Sequence, residues 1–339
     1  MQHQKMKAIT LPGYQGNIIR ALRSLEVREL EIPELMPDEV LIEVIAAPAN
    51  PSDLAFIQGG YNVRKSLPAI PGFEGTGKVI RTGSTADART LEGKVVSFFS
   101  QSDRGGSWAT HIPVKASDCV KVDPLLPADQ AACFSVNPFT AYAMVQLAKE
   151  KGSKAIVQNA AAGQLGKFIN ILAGRTGIKV INIVRKEAQV SQLHAAGFEH
   201  VLWTQETDFI AKLKEMAFKF KANIVFDAVG GEQSGHMLGA MPEDSKLFLY
   251  GALGGRTLSE IPASEVIFSK KSVRGFNMNE WKANLGKEAF LEISKQLQQL
   301  FIDNILKTDI QGSFPLSDAE KAMMQYIRDM SAGKVLLIP

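Results

Sequence analysis

Residues 154–185 read KAIVQNAAAGQLGKFINILAGRTGIKVINIVR, and the order of patterns within them decides the fold. Lys154 to Asn159 is a short apolar run of strand type, and Ala160 to Gly166 is a turn of small residues. Gln164 to Thr176 carries a helical pattern, and Lys179 to Val184 is a second apolar strand. Strand, tight turn, helix and strand in that order make a βαβ unit, whose two strands lie parallel. The turn Ala160-Ala161-Ala162-Gly163-Gln164-Leu165-Gly166 is a worn form of the dinucleotide fingerprint. Small residues let the backbone approach a pyrophosphate, and the last glycine lets helix and strand pack closely. Unpaired N–H groups and the dipole at the helix start suit an anion.

The same alternation continues downstream. A helix is expected over Glu187 to Ala196, a short strand over His200 to Trp203 and a helix over Glu206 to Phe220. A strand over Asn223 to Asp227, a helix to Ala240 and a strand over Lys246 to Tyr250 follow. Short apolar strands alternating with helices imply a doubly wound parallel sheet covered on both faces. Upstream the pattern differs. Glu39 to Ala47, Gly77 to Ile80 and Lys94 to Phe99 are strands between Gly-marked turns, as in an antiparallel, barrel-like domain. Ala128 to Lys149 is helical with a break near Asn137-Pro138. In the tail, Glu288 to Phe301 and Asp318 to Met330 are amphipathic helices and Val335 to Ile338 a strand. The fold class expected is thus α/β. A β-rich domain over 1–126, completed by a returning tail over 266–339, is joined to a dinucleotide domain over 127–265.

Composition narrows the function. The chain has 339 residues, 45% hydrophobic and 22% charged, and its 38 basic and 35 acidic side chains leave a net charge of +3. A protein that grips nucleic acid usually shows a stronger basic excess, so none is expected as a partner. Cys119 and Cys133 are the only cysteines, which excludes a disulfide framework and a Cys-rich zinc module. No apolar run is long enough to span a membrane, and MQHQKMKAIT lacks a secretory or transit pattern. A cytoplasmic location is therefore expected.

Position 185 selects the cofactor. NAD-specific units carry an acidic residue at the end of the second strand, where it binds the ribose 2′-hydroxyl. Here that place holds Arg185, followed by Lys186. A carboxylate would repel a 2′-phosphate, whereas a guanidinium binds it through charge-assisted bonds. NADPH is expected over NADH.

Further motifs extend the reading to the whole chain. They are Asn50-Pro51-Ser52-Asp53, Gln58-Gly59-Gly60-Tyr61, Pro71-Gly72-Phe73-Glu74-Gly75, Asn137-Pro138-Phe139-Thr140-Ala141-Tyr142, Phe226-Asp227-Ala228-Val229-Gly230-Gly231 and Gly275-Phe276-Asn277-Met278. With them the sequence resembles the medium-chain dehydrogenase/reductase superfamily, and within it the zinc-free branch of quinone oxidoreductases and 2-enoyl thioester reductases. The resemblance implies a GroES-like β-rich catalytic domain and a Rossmann domain. It also implies a homodimer formed by joining dinucleotide-domain sheets, with Lys246 to Tyr250 the candidate edge. Where the alcohol-dehydrogenase branch has Gly-His-Glu, this chain has Gly72-Phe73-Glu74. A phenylalanine cannot ligate zinc, so no metal is expected.

Without a metal, the implied reaction is hydride transfer from NADPH to an activated carbon: a 2-enoyl thioester, an enone or a quinone. Tyr61 matches the place where the enoyl reductases carry a catalytic tyrosine, and a phenol can hydrogen-bond an enolate and then protonate it. By the same resemblance, Asn137 and Thr140 would lie near the nicotinamide, and Ala162, Gly163, Gln164 and Leu165 near the pyrophosphate. Tyr250, Gly251, Ala252, Leu253, Phe276, Asn277, Met278 and Asn279 would line the nicotinamide side, and Lys334 would reach the cofactor from the tail. Asn50 and Asn277 join Tyr61 as candidate substrate contacts. Arg64 and Lys65 would offer a thioester substrate's phosphates a basic approach. Gln164 departs from the second glycine of the quinone-reductase fingerprint, and Asn277 from the usual tryptophan of the enoyl reductases. A different class of function stays open: an NADPH-binding sensor or interaction protein with little turnover.

Overall fold

Strands β1 (Lys5–Thr10) and β2 (Glu26–Glu31) form an antiparallel pair at the start of the chain. Then come β3 (Glu39–Pro48), β4 (Glu74–Thr82), β5 (Val95–Phe99), β6 (His111–Lys115) and β7 (Cys119–Lys121). The middle of the chain holds β8 (Ala155–Gln158), β9 (Lys179–Val184), β10 (Val201–Trp203), β11 (Ala222–Asp227), β12 (Lys246–Leu249) and β13 (Ser272–Gly275). Strands β14 (Ile310–Pro315) and β15 (Lys334–Ile338) close the chain. The structure is a computed structural model that describes residues 5–255 and 257–339. It divides into two compact units: one runs through Asn137 and resumes over Glu288–Pro339, the other is Pro138–Lys287.

In the first unit the sheet order is β14-β15-β3-β4-β5-β7, with β6 also on β3. Strand β3 organises this sheet. One side pairs with β4; on the other, Glu39–Glu43 pairs with β6, and Ala47 and Pro48 pair with β15. Its sequence EVLIEVIAAP is nearly continuous in apolar residues because all but two of its side chains are buried. Phe56, Phe73, Phe98 and Trp108 are fully buried beneath the sheet, each worth about 1.5–3 kcal/mol in apolar burial. Phe56 meets Phe73 edge to face at 5.3 Å.

The second unit is a six-stranded sheet in the order β10-β9-β8-β11-β12-β13, every pair parallel. Counted from β8, that is the doubly wound order 3-2-1-4-5-6, and its strand order reverses between β8 and β11. Ala155, Val157, Ile181, Ile183, Val225 and Leu247 supply the sheet side of one core, and Leu213, Ala217, Met237 and Leu238 the helix side.

The α/β fold class is as the sequence reading had it, with differences that have physical causes. Residues 266–287 go with the parallel sheet, since β13 pairs with β12; the packing places the junctions after Asn137 and Lys287, where the sequence suggested 126 and 265. Lys246–Leu249 is not an edge: β12 is bonded by β11 on one side and β13 on the other, so the open edge beyond it is β13. Strands β2, β13 and β14 carried no readable alternation. β2 is almost wholly exposed, β13 is four residues ending in glycine, and β14 contains both glycine and proline. The helical region from Ala128 splits into Ala128–Ala132 and Asn137–Glu150, with Pro138 in the first turn of the second helix, where its missing N–H does no harm.

Candidate active site

The carboxyl edge of the parallel sheet gathers the second unit's predicted site residues. Ala162–Leu165 follow β8, Arg185–Lys186 follow β9, Tyr250–Leu253 follow β12, and Phe276–Asn279 follow β13. Open α/β sheets bind their ligands at this edge, at the switch point. The turn after β8 is built for it. Gly163 precedes the helix Gln164–Arg175, which no side chain caps, and a helix start of this kind suits an anion. A Cβ on Gly163 would meet only the Ala160 carbonyl, at 3.2 Å, whereas one on Gly166 would sit 2.5 Å from the Ala161 carbonyl oxygen. The first glycine therefore leaves room for an approaching group, and the second closes the helix onto the turn. Ala160 holds a left-handed φ of +50°, strained for a residue with a Cβ.

Beneath the turn lies an amide network. Gln158 Nε2 donates to the Gly166 carbonyl at 3.0 Å and to Asn182 Oδ1 at 2.8 Å. Asn170 and Asn182 exchange hydrogen bonds of 2.7 and 3.0 Å. These buried side chains fix the helix start against β8 and β9. Across the switch point, Asn159 Nδ2 donates to Asp227 Oδ1 at 2.6 Å. Asp227 also accepts from the N–H groups of Val229 and Gly230 and from the Ser234 hydroxyl. The loop after β11 is thereby pinned, and Leu253 and Gly254 donate their N–H groups to its Ala228 and Val229 carbonyls. Arg185 and Lys186 are exposed at the end of β9, and the Arg185 carbonyl accepts from Trp203 Nε1. Among the described residues the Arg185 guanidinium has no carboxylate partner. These features fit a dinucleotide with a charged ribose substituent.

Other predicted residues are otherwise engaged. Asn277 Oδ1 caps the helix Met278–Ala283, accepting from Asn279 N at 2.9 Å and Glu280 N at 3.4 Å. Gln164 and Thr140 are buried, and Asn137 is half-buried at the start of its helix.

In the first unit a buried polar cluster joins Asn50, Asp53, Glu74 and Lys334. Asn50 Nδ2 donates to Glu74 Oε2 at 2.9 Å, while Lys334 Nζ donates to Asn50 Oδ1 and to the Ala49 carbonyl. The other Glu74 oxygen accepts from Val136 N at 2.9 Å. Burial pushes the Glu74 carboxyl above its usual range, against the pull of Lys334 and Asn50. Burial alone would lower the Lys334 ammonium, but Tyr326, Glu74, Cys133 and Asp53 around it outweigh that and raise it. Asp53 accepts from Asn50 N at 2.8 Å through one oxygen; the other is buried with no partner. Burial pushes this carboxyl up to about 7. Both polar ends of Asn50 and the ammonium of Lys334 are thus held within this cluster.

Tyr61 is half-buried, with its ring tilted over Phe73 at 5.5 Å. Its phenol oxygen accepts from Gln101 Nε2 at 3.0 Å. Burial raises the phenol above its ordinary pKa; Gln101 opposes the rise and Asp53 adds to it. Lys65 does not reach out to solvent. It is buried, donates to the Ile70 and Gly105 carbonyls, and lies over the rings of Phe56 and Phe73. Burial lowers it to about 8, so it offers no approach to phosphates. Arg64 is exposed but donates to the Gly59 carbonyl at 2.6 Å and stacks on Tyr14.

Residues 36–124 match the family described as alcohol dehydrogenase GroES-like domain, and residues 165–295 the family described as zinc-binding dehydrogenase. A mitochondrial enoyl-[acyl-carrier-protein] reductase of Caenorhabditis elegans is 34% identical over 252 residues, covering 72% of this chain and 70% of its own. The human protein of the same name is 27% identical over 335 residues, covering 96% and 87%. A solved structure described as a candidate NADPH:quinone reductase from Mesorhizobium loti superposes with a TM-score of 0.92 at 32% identity, covering 99% and 98%. The chain belongs to the medium-chain dehydrogenase/reductase superfamily. It lies in the branch of the quinone oxidoreductases and enoyl thioester reductases. In this medium-chain dehydrogenase/reductase, Phe73, the residue before Glu74, is fully buried among aromatic rings. Among the described residues no group of three or more His, Cys, Asp or Glu side chains is placed to hold a metal. Sequence motifs gave no sign of Gln101, of the amide network under the turn, or of Lys65 as a buried cation. Asp227 had one available signal, the motif Phe226 to Gly231.

Proposed function

We propose that this chain is a zinc-independent, NADPH-dependent reductase of activated carbon–carbon double bonds or quinones. The observation that carries the reading is Arg185, exposed and without a carboxylate partner at the carboxyl end of β9. A residue that would select NADH is replaced there by one suited to a 2′-phosphate. The uncapped helix start after Gly163 would hold the pyrophosphate. When bound, NADPH supplies the hydride for an electron-poor carbon. Tyr61 holds a proton at its phenol oxygen at neutral pH, as an ordinary phenol does, and burial holds it there more firmly. It donates a hydrogen bond, then that proton, to the enolate or reduced-quinone oxygen that hydride addition leaves on the substrate, for roughly 10²–10⁴-fold in rate. Phe73, packed under the Tyr61 ring, fixes the phenol's orientation and supplies an aromatic surface where a metal-dependent member would place a ligand.

The names of the relatives, enoyl reductases and an NADPH:quinone reductase, support both substrate classes. With Lys65 turned inward to backbone carbonyls and Arg64 tied to Gly59, the site favours an acceptor recognised by its apolar body. The test follows NADPH oxidation with a short trans-2-enoyl-CoA and with an ortho-quinone, for the wild type and Tyr61→Phe. Loss of enoyl reduction in the variant is expected for an enoyl reductase. Quinone reduction indifferent to the change removes Tyr61 from the mechanism. NADPH binding without oxidation by either acceptor replaces the reductase with a sensor. The expected assembly is a homodimer through the open edge β13, beside which Val266, Ile267 and Phe268 are exposed.

A further inference from the structure

Tyr61 and Gln101 are 40 residues apart in sequence, and the loop after β5 brings the Gln101 amide to the phenol. The direction of the bond matters. The amide nitrogen donates and the phenol oxygen accepts, so the phenol's own hydrogen is not used by this contact. Among the described residues no acceptor takes that hydrogen. The phenol is held from its oxygen side while its proton points elsewhere.

We propose that Gln101 is a positioning residue for proton delivery by Tyr61: its amide N–H aims the phenol proton outward and stabilises the negative charge left on the oxygen. This rests on the reading of Tyr61 as proton donor. In that step the phenol O–H bond breaks and a new bond to hydrogen forms on the substrate anion that hydride from NADPH has created. The phenolate takes up a proton from solvent to reset. Charge therefore develops on the Tyr61 oxygen as the proton leaves, and a fixed N–H donor strengthens its bond to an oxygen that becomes anionic. Gln101 acts through the Tyr61 oxygen and passes no proton to the substrate itself.

The charges around the phenol agree. Burial and Asp53, from the helix Pro51–Ile57, both hold the proton on Tyr61, and Gln101 is the group that eases its release. Lys65, which lies over the ring of Phe73, is turned to backbone carbonyls. The opposite amide orientation, with Oε1 toward the phenol, would take up the proton the reaction needs and would tighten it.

The test uses the full chain with 3-fluorotyrosine at its five tyrosines. The ¹⁹F resonance of residue 61 is assigned by its absence in Tyr61→Phe. Gln101→Leu removes the donor at similar volume, and Gln101→Glu keeps a polar, isosteric side chain in case the leucine variant does not fold. Both are expected to raise the phenol pKa of residue 61, the glutamate more. Both should lower kcat for the reduced acceptor about 10- to 100-fold, with KM changed less than about threefold and the alkaline limb of the kcat–pH profile moved upward. In Tyr61→Phe, a second change at Gln101 is expected to cost nothing more. A phenol pKa that falls or stays fixed in both variants overturns the proposal, as does an undiminished kcat. If Tyr61→Phe itself leaves reduction intact, the proton-donor reading fails instead, while the ¹⁹F titration still reports whether the amide donates to the phenol.

Discussion

Replacing Asp53 with asparagine should change how stability depends on pH. Asp53 is fully buried, and its carboxyl is pushed from 3.8 up to about 7, burial outweighing the Asn50 N–H and the nearby Lys334. The folded chain therefore binds this proton more tightly than the unfolded chain. Stability from the neutral carboxyl is complete below about 4. It is lost at 1.36 kcal/mol per pH unit as pH rises toward about 7, and changes no further above that. Over the full window the loss is about 4 kcal/mol; between pH 5 and pH 8 it is about 2–3 kcal/mol. Asparagine carries no charge at either pH and keeps an oxygen to accept from Asn50 N. Its NH₂ would replace the carboxyl oxygen that is buried without a partner. The stability of Asp53→Asn relative to wild type should thus rise by about 2–3 kcal/mol from pH 5 to pH 8. Urea denaturation of both proteins at several pH values measures the difference, and Glu74 and Lys334, common to both, largely cancel. A difference that is flat with pH, or that falls as pH rises, would show that Asp53 is ionised in the folded chain and matched by Lys334.

Three further outcomes are expected. Arg185→Ala should weaken NADPH by about 1.5–3 kcal/mol and leave NADH nearly unchanged in calorimetric titration; equal loss for both would remove Arg185 from cofactor choice. Ala160→Gly should raise stability by up to about 1 kcal/mol, because φ at this position is +50°; a loss in thermal or urea unfolding would mean the alanine is not strained. Phe268→Asp should convert a dimer to a 36.9-kDa monomer in sedimentation, since Phe268 is 77% exposed beside β13; a wild type already monomeric at micromolar concentration removes that interface.

The parallel unit was legible because its strands are buried on both faces and read as apolar runs separated by helical periods. From Lys154 to Arg185 the order of elements, the turn chemistry and the charge at the strand end all point to the same site. The antiparallel unit was legible only where its strands are buried. β3 stood out, whereas β2, exposed along nearly its whole length, carried no readable pattern. Side-chain roles that depend on distant partners were not legible. Asn50 and Lys334 are 284 residues apart and each looked like a ligand contact, but they bond to each other. Lys65 looked like a surface charge beside Arg64, yet the fold turns it inward onto Ile70 and Gly105. Gln101 carries no motif at all, and only the folded loop gives it a partner.

Strand β15 has a consequence for the order in which the molecule can be made. It is the last strand of the chain, and it pairs with β3, near the first. Everything in between includes the whole parallel unit, whose internal contacts are complete once Lys287 has been synthesised. That unit is free to fold while the chain is still being extended. The β-rich unit is not: the Ala47–Pro48 end of β3 lacks its pairing with β15 until Leu336 and Leu337 have been made. During that interval this end of the strand that organises the first core presents an open, apolar edge. The unit that contains β3 is thus closed after the unit inserted within it. A ribosome stalled between Lys287 and Lys334 would leave a folded dinucleotide unit attached to an unsealed sheet.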